Sequence, residues 1–505
     1  LIKQTLLVRA VLVITLAPQR IQVIQRVLLA GRATHPFPVI LGKVEILIMV
    51  LIWIVFHHHH HHPIFYHPVL RPTFFLPVKI KRIVSFYFLF FLILSSFAKE
   101  RRIGKLDSVN WDDYFNFGSN IYPYNAGTAY PSFSCVGAVV SDDLYGTGTL
   151  IAPNLVVTAA HVLKNTLFDP TPNPSSWEFI LHTDYENASD DKKYAVDSIH
   201  LHPAWVKRLD QKKGMGDGDE LGVDIALVVL KTPVVGVYPA KLPNGAAELI
   251  GGKVVLAGYG TLVDGISGVS DNKNSIRVGG ENTLDREVIE VNAPEVDSSE
   301  KGGLLAVDFD SPQQSNNTLA DGTAQVGYLG TGASSPSPLA MEASSAVGDS
   351  GGPAFMYYNQ AWRTVGVVSY GTSDSTYGDI TIYTRVASQL EWIQTYLSKW
   401  AQARQTAYSG WVELDWFGSF YALPNNWVFH PGHGWFYSST TDGESLWGWQ
   451  EDHLGWWWTG LGVYPYLYST GLDKWIYVNI SKSTPDLLQY YDYDLAIWVD
   501  HNRSQ

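Results

Sequence analysis

Cysteine is nearly absent from this chain: among 505 residues only Cys135 carries a thiol. A single cysteine excludes an intrachain disulfide, so each folded part must be stable through its hydrophobic core. A secreted protein without disulfides is more typical of bacteria than of animals. Cys135 lies in the apolar stretch FSCVGAVV without a nearby base. We therefore expect a buried, inert thiol rather than a nucleophile.

Charged residues are also scarce, at 16% of the chain, and the formal net charge is −13. An acidic surface repels phosphate backbones, which excludes a general nucleic-acid binder. Asp217, Asp219 and Glu220 lie close enough in sequence to suggest a calcium loop, but their spacing fits a solvated turn better. We expect neither a metal nor a cofactor.

A secretory signal is predicted at residues 79–98, KIKRIVSFYFLFFLILSSFA. The segment has a basic start, an apolar run and a small-residue end. A membrane anchor is the alternative, but the run is shorter than the roughly 20 residues that span a bilayer. We expect a secreted or extracellular protein, in the bacterial periplasm or at the cell surface, whose mature form does not span a membrane. Residues 1–78, with six consecutive histidines at 57–62, are interpreted as an over-extended gene model or a disordered segment, and residues 99–120 as a leader or pro-segment.

Two chemically informative motifs lie in a region of short apolar runs separated by turn residues, a pattern typical of an antiparallel barrel or sandwich. The segment GTGTLIAPNLVVTAAHVL, residues 146–163, predicts a strand, a turn and a second strand that ends near His161. Asp224 begins the apolar strand DIALVVL. A buried carboxylate needs partners, and an imidazole is a suitable one, although an exposed strand-end aspartate is the alternative.

The third motif, GDSGGP at residues 348–353, is the most specific. Its glycines permit backbone angles and close approaches that side chains would block. Ser350 would therefore lie on a tight turn, where the Gly348 and Ser350 amides can point together at an oxyanion. Three such motifs occurring by chance in one chain is far less probable than a shared catalytic site.

TAAH, DIAL and GDSGGP in this order resemble the chymotrypsin-like, or trypsin-like, serine peptidases, over about residues 121–403. The resemblance implies a mainly β fold with two six-stranded antiparallel barrels, a C-terminal helix and a site in the cleft between the barrels. It makes His161 the general base, Asp224 its orienting partner and Ser350 the nucleophile. Gly348 and Ser350 become the oxyanion amides.

The same resemblance implies a substrate-binding surface. Ser369 would support Asp224, while Tyr370 and Gly371 continue a strand that pairs with the substrate. The pocket base falls on Ser344, which is neutral, and a wall position that is commonly glycine falls on Thr381. We therefore expect a preference for small or medium apolar residues before the cleaved bond rather than for lysine or arginine.

Two expectations concern the ends of this domain. Leu390, Ile393, Leu397 and Trp400 recur at helical spacing behind a Ser388-x-x-Glu391 capping box, which predicts the closing helix. No IVGG sequence is present to mark an activated N-terminus. Cleavage after Asn120, with the new Ile121 amine pairing with Asp349, is the corresponding hypothesis.

The composition changes after Gln405, because most of the tryptophans are concentrated in residues 406–505. Units such as NWVFHPGHGWFY and YLYSTGLDKWIYV each predict a strand, a polar turn and a strand. They recur at a nearly constant spacing, which predicts a stack of aromatic-rich β-hairpins. The module resembles the aromatic hairpin repeats of bacterial surface proteins. Its rings either stack on cell-envelope glycans or zip successive hairpins together, and the structural interpretation is favoured.

Two functions from different classes fit these features. The first is a secreted serine endopeptidase that hydrolyses protein or peptide substrates through an acyl-enzyme intermediate, with a C-terminal module that localises it. The alternative is a surface adhesion or glycan-binding protein whose protease-like domain is a catalytically silent scaffold.

Overall fold

A computed structural model of the chain describes residues 103–122, 129–142, 144–163, 172–212, 221–245, 248–266, 274–291, 302–320, 329, 332–372, 375–440 and 443–503. The predicted signal at 79–98, residues 1–78 and the acidic turn at 217–220 lie outside these residues. Every helix within the described part is too short or too polar to cross a membrane.

Strands dominate the described residues, with a few short helices between them. The N-terminal part comprises β1 (Ile103–Lys105) and α1 (Trp111–Gly118). Next come β2 (Val136–Val140), β3 (Tyr145–Ala152), β4 (Leu155–Thr158), α2 (Ala160–Leu163), β5 (Glu178–Ile180), β6 (Lys193–Leu201), α3 (Pro203–Lys212) and β7 (Ala226–Leu230). They are followed by β8 (Lys253–Gly258), β9 (Leu262–Asp264), β10 (Val278–Thr283), β11 (Arg286–Val291), β12 (Gly302–Asp308), β13 (Ala343–Ser344), β14 (Pro353–Tyr358), β15 (Ala361–Gly371), β16 (Ile380–Arg385) and α4 (Leu390–Gln394).

The C-terminal part consists of strands only. They are β17 (Arg404–Gln405), β18 (Trp411–Leu414), β19 (Gly418–Ala422), β20 (Trp427–His430), β21 (Gly434–Ser438), β22 (Ser445–Gln450), β23 (Gly455–Gly460), β24 (Tyr466–Ser469), β25 (Lys474–Val478), β26 (Leu487–Asp492) and β27 (Ile497–Asn502).

The first half of the peptidase region is a closed barrel of six antiparallel strands in the order β2-β3-β4-β7-β6-β5. Apolar side chains fill its interior, including Val157 and Leu227, which are fully buried. Gly137 has a steric role, because a Cβ there would lie 2.6 Å from the Phe179 ring. The glycine therefore leaves room for the Phe179 ring against β2, which pairs with β5.

The second half is a seven-stranded antiparallel sheet in the order β10-β8-β14-β15-β16-β12-β11. One apolar cluster joins it to the first barrel, since Phe355 and Ile382 of this sheet belong to the same buried core as Val157. The predicted mainly β architecture is confirmed. The second sheet holds seven strands in one hydrogen-bonded order, one more than the six-stranded barrel that the resemblance implies.

The residues of the predicted leader are built into this domain. Strand β1 lies between β13 and β9 in a small three-stranded sheet, with Gly104 opposite Ser344. Helix α1 follows and buries Tyr114 completely, and the Tyr114 hydroxyl donates a 2.6 Å hydrogen bond to the Glu342 carbonyl. Residues 103–118 therefore support the chain segment that carries Ser344.

The closing helix is shorter than the spacing predicts. Helix α4 follows a 3-10 turn, and it ends before Leu397 and Trp400. The capping box does not form, because the Ser388 hydroxyl donates to the Ile289 carbonyl and accepts from no helix amide among the described residues. Trp400 packs edge to face on Phe420 of the C-terminal region, 4.8 Å between ring centroids. Trp400 thus belongs to the contact between the two regions and not to the helix.

The C-terminal strands form one continuous eleven-stranded antiparallel sheet in which each strand pairs with its chain neighbour. The predicted aromatic-rich hairpins are therefore confirmed. One face holds the buried core, including Phe436, Trp457 and Leu488. The other face carries rows of aromatic rings in cross-strand pairs, such as Trp447 opposite Trp458. Such pairs stabilise a sheet whose outer face is open to water.

The C-terminal sheet is attached to the peptidase domain by buried charges. Arg363 of β15, whose side chain is 1% exposed, forms a bidentate ion pair with Glu444 at 2.6 and 2.9 Å. Lys241 pairs with Asp415 at 3.2 Å, and both side chains are buried. The Gly236 amide also donates to the Gln405 carbonyl at 2.9 Å. These bonds fix one region against the other.

Replacing Arg363 with alanine should lower the free energy of unfolding by about 3 kcal/mol, because the Glu444 carboxylate would lose its ion-pair partner in a largely buried place. Urea denaturation followed by tryptophan fluorescence measures this change. The matched control is Lys192→Ala, which removes an exposed pair with Asp191 and should cost less than about 1 kcal/mol. Equal losses in the two variants would contradict a structural role for the Arg363 pair.

Candidate active site

His161 lies at the end of the hairpin that its sequence motif predicts. Strand β4 ends at Thr158, and the fully buried Ala159 and Ala160 lead into the single turn of α2 that carries the imidazole. Because Thr158 pairs with Ala226 of β7, the residues just before β7 lie beside this corner. Asp224 is two positions before Ala226, so the register alone brings the carboxylate to the imidazole.

The Asp224 carboxylate holds His161 at two points. His161 Nδ1 lies 2.6 Å from Oδ2, and the His161 backbone amide donates to Oδ1 at 2.9 Å. A carboxylate only accepts hydrogen bonds, so Nδ1 carries the proton. That tautomer leaves the lone pair on Nε2, on the side of the ring away from Asp224. The His161 side chain is 20% exposed, whereas that of Asp224 is fully buried.

Asp224 stays ionised in spite of its burial. Burial by itself would raise the pKa of Asp224, but the charge of His161 and hydrogen bonds from His161 and Ser369 outweigh it and lower the pKa. The Ser369 hydroxyl donates to Oδ2 at 2.6 Å. The carboxylate therefore has the partners that a buried charge requires.

The turn that carries Ser350 is positioned through its backbone. The Ser350 carbonyl accepts from the Thr147 amide at 2.8 Å, and the Gly351 amide donates to the Val368 carbonyl at 2.8 Å. Gly351 has φ +84°, and a Cβ there would lie 2.0 Å from the Thr158 hydroxyl. The turn thus packs on the end of β4 and on the strand that carries Ser369. Ser350 is brought to the corner that holds His161 and Asp224.

The chain just before Ser350 carries the two amides that are predicted to bind an oxyanion. Gly348 adopts φ +97°, which disfavours any side chain there. The Thr147 hydroxyl donates to the Gly348 carbonyl at 2.7 Å and so turns that peptide. Among the described residues, the amides of Gly348 and Ser350 donate to no backbone carbonyl. Both amides are therefore available to a negatively charged oxygen.

Asp349 points away from the cleft into the protein. Its Oδ1 accepts from the Gly260 amide at 2.9 Å and its Oδ2 from the Ala346 amide at 2.8 Å. Burial raises the pKa of Asp349 to about 8, against the opposing effect of these two amide hydrogen bonds. Ile121, by contrast, is 60% exposed.

The predicted pocket residues form a compact neutral cluster. The Ser344 and Thr381 hydroxyls are 3.2 Å apart, and Thr381 Oγ1 also accepts from the Ser345 amide at 3.0 Å. All three side chains are buried. Thr381 lies opposite Gly371 across β15 and β16, while Tyr370 and Gly371 are half-buried at the end of β15. The threonine fills space that a glycine would leave open.

Buried acids lie behind this pocket wall. The Asp310 amide donates to Glu342 Oε1 at 2.7 Å, and Asp310 Oδ1 has no hydrogen-bond partner. Burial, and then the charges of Asp308 and Asp285, raise the pKa of Asp310 to about 8. Burial also raises the pKa of Glu342 to about 9 and that of Asp285 to about 7. These carboxyl groups therefore bind their protons more tightly in the folded state than in the unfolded state.

The Asp310→Asn variant should flatten the loss of stability at alkaline pH. The folded pKa of Asp310 lies above the ordinary value of an aspartate, so its contribution is complete below about pH 4 and lost as the pH rises through about 8. The neutral amide has no proton to lose. Between pH 5 and pH 9, the free energy of unfolding of wild type should fall by about 1–2 kcal/mol more than that of the variant. The difference is small because nearby solvent screens the charge. Urea denaturation at both pH values measures it, with exposed Asp142→Asn as the control. Parallel pH curves for wild type and Asp310→Asn would refute the assignment.

Some supporting residues escape sequence reasoning. Thr147 orients the oxyanion turn, and the GTGT motif that contains it shows only a hairpin. The Ser345 amide holds the Thr381 hydroxyl, but no sequence motif marks Ser345 itself. The support from β1 depends on pairing over long sequence distances. No local signal could have revealed these roles.

The fold, with its closed six-stranded barrel and adjoining antiparallel sheet, is that of a chymotrypsin-like serine peptidase. The Trypsin family model matches residues 124–393, and the chain belongs to this family. Membership supports a hydrolase of the serine endopeptidase type that acts on proteins.

Curated relatives agree with this family. Vitamin K-dependent protein C of Rattus norvegicus is 26% identical over 259 residues, which cover 50% of this chain and 46% of the relative. Spermosin of Halocynthia roretzi is 25% identical over 291 residues, covering 55% of this chain and 60% of the relative. The chain thus matches about half the length of these proteins, and the C-terminal sheet lies beyond the family match.

Proposed function

We propose that this protein is an exported serine endopeptidase in which His161, Asp224 and Ser350 form the catalytic triad. The observation that carries the proposal is the fully buried Asp224, which holds His161 Nδ1 at 2.6 Å beside the backbone-anchored Ser350 turn. An aspartate buried in this way has a structural cost that is hard to explain unless the imidazole must be oriented.

The chemistry follows from these positions. His161 Nε2 takes the proton of the Ser350 hydroxyl while Ser350 Oγ attacks the peptide carbonyl carbon. The amides of Gly348 and Ser350 stabilise the oxyanion of the tetrahedral intermediate. His161 then returns the proton to the leaving amine as the C–N bond breaks, which leaves an acyl-enzyme. Water, deprotonated by His161, hydrolyses the ester and restores Ser350.

Substrate preference would be set by the hydroxyl-lined pocket. Ser344 supplies no charge for a lysine or arginine side chain, and Thr381 makes the pocket shallow. Small or medium apolar side chains before the cleaved bond fit this space best. A peptide-library digest reads this preference directly, and efficient cleavage after arginine would contradict it.

We also propose that cleavage after Asn120 activates the enzyme. Ile121 is exposed, while the Asn120 carbonyl accepts from the Phe133 amide at 2.8 Å and so stays anchored. The new amine of Ile121 would pair with Asp349, as in the family. The upstream segment would remain bound through β1 and α1. Active protein whose N-terminus lies well upstream of Ile121 would contradict this step.

Covalent labelling tests the proposed nucleophile. A fluorophosphonate probe should label the processed wild type and should fail to label Ser350→Ala, because only an activated serine attacks the phosphorus. The labelled peptide should contain Ser350 when it is mapped by mass spectrometry. Processed protein that hydrolyses no casein and takes up no label would favour a silent scaffold.

Glycan binding by the C-terminal sheet is the second candidate, and one observation favours it. Several rings on the outer face remain between 38% and 49% exposed, among them Trp435, Trp447, Trp456 and Trp475. Exposed aromatic faces stack on sugars. Retention of the full chain on cell-wall material that falls in a Trp435→Ala, Trp475→Ala double variant would support a localising module.

A further inference from the structure

A group of side chains that could ligate a metal lies in the C-terminal sheet, outside the residues of the family match. Asp452 and His453 belong to the turn between β22 and β23, and His501 lies on β27, the last strand. One ligand atom from each of the three residues lies within 4.8 Å of the other two. A tetrahedral zinc ion holds ligand atoms about 3.3 Å apart. Small side-chain rotations would therefore bring all three onto one ion.

The hydrogen bonding of His453 is the second observation. Neither its Nδ1 nor its Nε2 has a hydrogen-bond partner, and both atoms are inaccessible to solvent. Buried polar atoms are satisfied in nearly all native proteins. The His453 and His501 ring centroids are only 3.6 Å apart at 55°, so two imidazoles meet without a hydrogen bond from His453. A cation bound between them would use the ring lone pairs.

The carboxylate is held ready in the same corner. Asp452 Oδ1 accepts from the Leu454 amide at 2.9 Å, whereas Oδ2 has no hydrogen-bond partner. The Arg503 guanidinium is the nearby cation, with its Nε 4.0 Å from Oδ2. Arg503 is also held by the Gly432 and Thr484 carbonyls. An oriented first carboxylate oxygen and an available second oxygen are typical of a metal ligand.

We propose that Asp452, His453 and His501 form a binding site for a first-row divalent transition metal of the zinc class. Two imidazoles and one carboxylate favour such ions over calcium or magnesium, which prefer oxygen ligands throughout. Three protein ligands leave a fourth position for water. Among the described strands β27 pairs with β26 alone, so the ion would connect this edge strand to a turn four strands away. Its role is to fix the edge of the sheet.

Metal content and thermal stability test the site in the full chain. We would treat three proteins with a chelator and then equilibrate each with zinc: wild type, His453→Ala and His501→Gln. Inductively coupled plasma mass spectrometry then measures bound zinc per chain. The unprocessed full chain is used for every variant, so the six histidines at 57–62 are common to all of them and the difference in bound zinc isolates the site. We expect each site variant to hold one zinc fewer than wild type.

The thermal midpoint supplies the second readout, followed by tryptophan fluorescence, since the C-terminal sheet is rich in tryptophan. Saturating zinc should raise the wild-type midpoint by about 5 °C or more, and the site variants should lose this response. His200→Ala in the peptidase domain is the matched control and should keep both the zinc ion and the response. Circular dichroism checks that each variant is folded.

Two results would overturn the site. Equal zinc content in wild type and both folded site variants would assign all binding to other histidines. A wild-type midpoint that does not respond to zinc would show that no ion links β27 to the turn, even if the variants fail to fold. Neither readout depends on peptidase activity.

Discussion

Ser350→Ala should lower kcat/KM on a peptide substrate by about 10⁴-fold or more, with KM nearly unchanged. The backbone of the turn is held by Thr147 and Val368, so removal of one hydroxyl leaves the oxyanion amides in place. The variant loses the acyl-enzyme route but keeps substrate binding and oxyanion stabilisation. Steady-state kinetics on a chromogenic peptide measures the change.

Ser337→Ala is the matched control for this experiment, because Ser337 is exposed and its hydroxyl accepts only from the Gln314 side chain among the described residues. Its kinetic constants should equal those of wild type. If Ser350→Ala retained more than about one hundredth of wild-type activity, a nucleophile other than Ser350 would be required.

Asp224→Asn should lower kcat by about 10⁴-fold while the fold persists. The asparagine NH2 group would donate to His161 Nδ1, which would then be the acceptor. The ring proton would move to Nε2, so Nε2 could not accept the serine proton. Ser369→Ala removes only one of the three hydrogen bonds to the carboxylate. It should cost about tenfold, which corresponds to one hydrogen bond to a charged group.

The acid limb of stability provides a second readout for the same pair. The folded pKa of Asp224 is lowered, so its contribution to stability is present above the ordinary pKa of an aspartate and is lost as the pH falls through the folded value. Asp224→Asn should lack this acid-dependent loss. Equal activity in Asp224→Asn and Ser369→Ala would contradict the orienting role.

The positions of the candidate triad could be predicted because each residue lies in a short motif whose local structure is restricted. GDSGGP places Ser350 on a tight turn through its glycines, and DIALVVL places Asp224 at the head of a buried strand. The closing helix is present at residues 386–394, but it ends before Leu397 and Trp400, which the spacing includes. Helical spacing alone does not show where tertiary packing ends a helix.

The sequence by itself determined the mainly β class, the aromatic-rich C-terminal hairpins and the residue types available for acyl transfer, since periodicity and turn chemistry are local properties. Only the tertiary structure decided which side chains meet. The register of β4 on β7 brings Asp224 to His161, and β1 reaches the wall that holds Ser344. In the same way, the C-terminal sheet brings His501 beside His453. These contacts join residues that are distant in the chain. They form only when the strands have paired and the core is buried.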